Sequence, residues 1–133
     1  MRHLYWQIPS NKVINAETIN EADTELTETL KYALISSLRK PVDEAIGKIY
    51  MDDKNAPAGI TWATFDTDIV KIKQVYGMGG LYELTLRVYP YYLAHNSYGI
   101  DEVLINTEGK LINFKHLKTY PWNYILINRA LIR

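Results

Sequence analysis

The stretch Tyr89–Leu117 reads Tyr-Pro-Tyr-Tyr-Leu-Ala-His-Asn-Ser-Tyr-Gly-Ile-Asp-Glu-Val-Leu-Ile-Asn-Thr-Glu-Gly-Lys-Leu-Ile-Asn-Phe-Lys-His-Leu. It holds a polar loop over 92–99, a strand over Ile100–Ile105, a turn at Asn106-Thr107-Glu108-Gly109 and a second strand over Lys110–His116. Gly109 suits a left-handed turn position. Closing the hairpin at 106–109 pairs Ile105 with Lys110, Val103 with Ile112 and Asp101 with Phe114. Side chains alternate across a sheet, so Asp101, Val103, Ile112, Phe114 and His116 share the core face. Asp101 and His116 then lie diagonally adjacent. His95 and Asn96, just upstream, join them in one candidate polar binding cluster: His95, Asn96, Asp101 and His116.

Upstream of this hairpin the period changes twice. From Asn20, the residues Leu26, Leu30, Ala33, Leu34, Ser37 and Leu38 recur at helical spacing. Thr18 or Asn20 is placed to cap the start. Acids crowd the first half of this segment and Lys31, Arg39 and Lys40 come later, an order that complements the helix dipole. Pro41 breaks the helix and fits the first turn of a second one, whose stripe is Val42, Ala45, Ile46, Ile49 and Tyr50. The segment 52–59 is loop by composition. Asp52 and Asp53 lack the alternating oxygen ligands and distant glutamate of a calcium loop. Ile69–Tyr76, with a start as early as Trp62, then reads as a strand. Gly77-Met78-Gly79-Gly80 is a turn, and Leu81–Tyr89 alternates as the next strand. That glycine turn leads into a strand and not a helix, so it is no phosphate loop.

Helices first and an antiparallel meander after them predict an α+β fold. N-terminal helices over 20–51 pack on a four-stranded antiparallel sheet over 60–117, in one domain. Residues 1–17 form an arm and 118–133 a C-terminal extension, apolar nearly all round from Tyr124, whose state as helix or strand the pattern leaves open.

The chain has 133 residues, 47% hydrophobic and 23% charged, with 15 basic and 15 acidic residues. That balance gives no electrostatic footprint for nucleic acid, and near-zero charge favours self-association. With no cysteine, disulfides, thiolate zinc sites and iron–sulfur clusters are excluded. No cofactor is implied. No segment is apolar and long enough to span a bilayer. The N-terminus lacks the apolar run of a signal peptide, which points to an intracellular protein or to a mature form that has lost its leader. Eleven tyrosines suit half-buried sheet faces, and Trp6, Trp62 and Trp122 read as packing anchors.

A histidine beside a carboxylate has three uses: a general base oriented by the acid, a metal ligand with His95 as the third group, or a hydrogen-bonded pair closing the core. Neither motif spacing nor a clear nucleophile accompanies it, Ser97 being the nearest hydroxyl. The pattern therefore favours the structural pair, and no catalytic residue is assigned.

Leu30-Lys31-Tyr32-Ala33-Leu34, Ile46, Tyr50, Tyr89-Pro90-Tyr91, Ala94-His95-Asn96, Gly99-Ile100-Asp101-Glu102 and Phe114-Lys115-His116 together resemble a domain-of-unknown-function family of small exported proteins from spore-forming Firmicutes. The resemblance covers roughly residues 24–117. It implies a bacterial secreted or envelope-associated domain with a helix-on-curved-sheet, cystatin-like fold, and brings no activity with it. The leading expectation is a non-enzymatic binding or interaction module with a protein partner, and a homodimer through residues 118–133. The alternative is a hydrolase or metal-dependent enzyme using His95, Asp101 and His116.

Overall fold

The computed structural model describes residues 21–121. By its contacts the chain divides into two units, residues 1–31 and 32–133. The described part of the first is the opening of helix α1 (Glu21–Ser37), where Thr24–Leu30 are exposed. The expected arm, the Thr18 or Asn20 cap, Trp6 and the tail from Trp122 lie outside the described residues.

Helix α1 stops at Ser37 and helix α2 runs Arg39–Tyr50. Pro41 dictates the break. In a continuous helix its ring would strike the carbonyl four residues back and its missing N–H would leave a gap in the bonding. With α2 beginning at Arg39, Pro41 sits in the first turn, where no intrahelical acceptor exists anyway. The buried stripe of α2 is Pro41, Val42, Ala45 and Ile46. On α1 the expected stripe holds only at its end: Leu26 and Leu30 are 58% and 59% exposed, Leu38 is buried as expected with Leu34 packed on the core, and Ile35, outside the expected stripe, is buried too. Ile35 and Leu38 lie one helical turn apart and lead directly into Val42, so the apolar face continues through the break.

Two N-terminal helices pack on a four-stranded antiparallel sheet in an α+β fold. Its strands are β1 (Asp68–Gln74), β2 (Tyr82–Val88), β5 (Gly99–Asn106) and β6 (Leu111–Thr119), in the spatial order β1-β2-β5-β6. A small hairpin of β3 (Tyr91–Tyr92) and β4 (Asn96–Ser97) interrupts the meander; the sequence pattern predicts only loop there. Alternate residues Leu84, Leu86, Val88, Val103 and Ile105 face Ile35, Val42, Ala45 and Ile46 in one core, joined by Trp62. Each such aliphatic side chain is worth about 1.5–3 kcal/mol of burial. Trp62 does not begin β1. It follows a bridge between Thr61 and Tyr91 and precedes a 3-10 turn at Thr64–Asp66.

The β5–β6 register differs from the expected one. Ile105 pairs with Leu111, Val103 with Phe114 and Asp101 with His116, with bulges between Leu104 and Ile105 and between Ile100 and Asp101. The turn closes as expected, with Asn106 N bonded to Lys110 O and Gly109 at φ 85°. A bulge sets two residues against one, so everything beyond it slides. Leu111 packs on the core in place of Ile112, which is 42% exposed. β6 also runs past His116 to Thr119.

Candidate functional site

Asp101 is wholly buried on β5 and both of its oxygens are engaged. Tyr50, the last residue of α2, donates its hydroxyl to Oδ2 at 2.6 Å. Nδ1 of His116, directly opposite on β6, lies 2.6 Å from Oδ1. Nε2 of His116 lies 2.5 Å from the Thr119 hydroxyl. The Tyr50 ring meets His116 and Tyr98 edge-on, each at 5.6 Å. Tyr98 is buried and donates its hydroxyl to Asp53 Oδ2 at 2.7 Å. One helix end, two strands and the 51–59 loop are thus joined through two carboxylates, two phenols and an imidazole.

Gly99 makes this approach feasible. A Cβ there would collide with the Tyr50 hydroxyl, and would lie 3.1 Å from the Lys118 carbonyl and 3.3 Å from His116 Cε1. The Gly-x-Asp spacing therefore places an absent side chain beside a carboxylate, so that a phenol can reach across. The glycine is required for space and not for a left-handed turn.

Asp101 and His116 come together as the sequence pattern suggests, but His95 and Asn96 sit on the β3–β4 hairpin. Asn96 is exposed and pairs with Tyr92. The exposed His95 ring lies 4.6 Å from that of Tyr91 and 6.3 Å from that of Phe65. Leu93 and His95 both take positive φ, 49° and 60°, which tightens the hairpin. Among the described residues no group of three or more His, Asp or Glu is placed to hold a metal ion. Tyr50, Tyr98 and Thr119 were missed from the sequence. The available signal was Tyr50 itself, a phenol ending an apolar stripe, whose hydroxyl needs a partner when buried.

Next to this cluster a cleft of about 470 Å³ opens between α2 and residues 51–62. Tyr50 lines it together with Asp43, Gly47, Asp53, Ile60 and Trp62. Trp62 is buried and donates its indole N–H to Asp43 Oδ1 at 2.7 Å, while the Arg39 guanidinium rests 4.5 Å from its ring centre. Asp53 Oδ1 accepts the backbone N–H of Asn55. Gly47 stands inside α2 with open space where a Cβ would be. Gly47→Ala is expected to raise stability by about 0.5–1 kcal/mol, the helix-interior difference between the two residues. Urea unfolding checks this, and a destabilised variant would contradict the open geometry.

Burial pushes the Asp101 carboxyl above its ordinary value of 3.8, and the bonds from Tyr50 and His116 pull partly back. Burial, then the Asp101 bond, raises the Tyr50 phenol, and burial with the Asp53 bond pushes Tyr98 up to about 12. A carboxyl with a raised folded value binds its proton more tightly folded than unfolded. Its contribution is full below 3.8 and is lost as pH rises through the raised value. The stability of the native protein relative to Asp101→Asn is therefore expected to be greatest in acid and to shrink with rising pH. Urea unfolding of both across the acid range tests the sign; a gap that widens with pH would contradict it.

A protein-family model described as "Protein of unknown function (DUF3888)" matches residues 30–118, about two-thirds of the chain. The chain belongs to this family. The DUF3888 match begins within α1 and ends in β6, and so takes in Tyr50, Gly99, Asp101, His116 and the whole cleft. No curated protein matches, and no solved structure matches. No helix among the described residues is long and apolar enough to cross a membrane.

Proposed function

We propose that this DUF3888 chain is a non-enzymatic binding module. Its ligand surface is the cleft between α2 and residues 51–62, and Tyr50, Asp101 and His116 hold one wall of that cleft in place. The observation that carries this reading is the double placement of Tyr50, whose side chain lines the cleft while its hydroxyl is tied to a buried carboxylate. Pre-formed clefts of a few hundred Å³ with aromatic walls and few polar groups are the usual shape of ligand sites. In this reading the candidate polar residues are support: Asp101 and His116 brace the cleft, and His95 and Asn96 shape the neighbouring hairpin. The export and envelope setting implied by the resemblance, the cystatin-like likeness and a homodimer through residues 118–133 accompany this reading as parts of the proposal.

A second reading, hydrolysis, draws on one observation. Asp101, His116 and Thr119 form a chain in the order acid, imidazole, hydroxyl, the order that activates a nucleophile. Acyl transfer also needs amide donors for the developing oxyanion. The next amide along, Tyr120 N, is already given to Tyr98 O at 2.6 Å, which weighs for the support role.

Amide NMR titration with a panel of small amphipathic molecules tests the proposal. Saturable shifts gathered on residues 43–62 support the module. Shifts gathered around Thr119, with hydrolysis of p-nitrophenyl acetate lost in Thr119→Val, would replace it with the hydrolase.

A further inference from the structure

Resting on the binding reading, we infer that the cleft takes an alkylammonium group on a short apolar stem, such as a lysine side chain presented by a partner segment. Three observations converge. The first is charge. Asp43 and Asp53 line the cleft, and their bonds come from neutral donors: the Trp62 indole, the Tyr98 hydroxyl and the Asn55 amide. Neither is paired with a lysine or arginine among the described residues, and no such residue lines the cleft. Asp43 is exposed and Asp53 half-buried, and two carboxylates on one cleft that no lysine or arginine lines draw a cation into it. Their neutral donors fix their orientation, so little ordering remains to be done on binding.

The second is the wall chemistry. Tyr50, Ile60 and Trp62 supply aromatic and aliphatic surface for a methylene stem, and aromatic faces attract ammonium groups. The Arg39 guanidinium on Trp62 shows the same attraction of a ring for a cation within this chain. The third is Gly47. A helix-interior glycine lowers helix stability, and no neighbour within 4 Å of its missing Cβ explains it. It widens the cleft beside both acids. A volume of about 470 Å³ exceeds what an aminobutyl stem fills and leaves room for flanking peptide.

The test is amide NMR titration of the full chain, read at the Gly47 amide and the Trp62 indole. The probes are N-acetyl-lysine-N-methylamide, its norleucine isostere and n-pentylamine. The lysine probe is expected to saturate with a Kd of about 1 mM, as its size allows, and the isostere to bind at least about tenfold more weakly. Gly47→Leu, which stays folded by virtue of its open site, is expected to abolish the shifts. A lysine probe about tenfold tighter than pentylamine identifies a protein segment as the source; equal affinities identify a free amine. Equal binding of the isostere would overturn the cationic class and leave the module standing. No response to any probe would overturn the inference, while the broader panel separately decides the module.

Discussion

Asp101→Ala is expected to lower unfolding stability by about 3 kcal/mol, the cost of removing one member of a buried, hydrogen-bonded set and leaving its partners unmatched. The Tyr50 hydroxyl and His116 Nδ1 both lose the acceptor that the wholly buried Asp101 supplies. Asp101→Asn is expected to cost only about 1 kcal/mol. It keeps the volume and one acceptor oxygen, and it relieves the burial of a charge. Chemical denaturation of both variants checks the order. Equal losses would mean that shape alone, and not the acceptors, matters at this position.

Gly99→Ala is the second large effect, with an expected loss of about 2 kcal/mol from overpacking. The added methyl meets the Tyr50 hydroxyl first and the Lys118 carbonyl next. The backbone carbonyl is fixed by the β5–β6 ladder, so Tyr50 must give way and its bond to Asp101 is strained or broken. Tyr50→Phe alone is expected to cost about 1.5 kcal/mol through the lost bond to a carboxylate. In that background the methyl has room, and Gly99→Ala should cost less than about 1 kcal/mol. A double-mutant cycle reads the difference as coupling. Additive losses would show that the glycine serves something other than the approach of Tyr50.

These expectations show which parts of the molecule the sequence exposes. The break at Pro41, the glycine turn before β2 and the hairpin at 106–109 follow from local rules of dihedral angle and missing donors, and all three are found where the residues place them. The α+β layering follows from their order. Register was not legible, because a bulge changes the pairing without leaving a mark in apolar alternation. Leu111 and Ile112 are chemically interchangeable, and only the ladder decides which one faces the core. Asp101 and His116 meet despite the wrong register: the expected diagonal neighbours become direct ones after a two-residue slide, which keeps both on the same face. His95 was misplaced because the positive φ of Leu93 and His95 folds the 92–99 segment into its own hairpin. Tyr50 is separated from Asp101 by 51 residues, a distance over which no spacing rule operates. Only the unmet hydroxyl of a half-buried tyrosine at the end of an apolar stripe pointed to it.

The amide spectrum of Asp101→Asn, recorded where it and the native protein are both folded, tests the central claim that the buried carboxylate steadies the cleft through Tyr50. Asparagine offers one acceptor oxygen where two partners need one each, so the hold on Tyr50 or His116 loosens. Shifts are expected at Gly47, Asp53 and the Trp62 indole, none of which bonds to Asp101, because the tyrosine between them moves. Shifts confined to the β5 and β6 neighbours of Asp101, with the cleft signals unmoved, would contradict it.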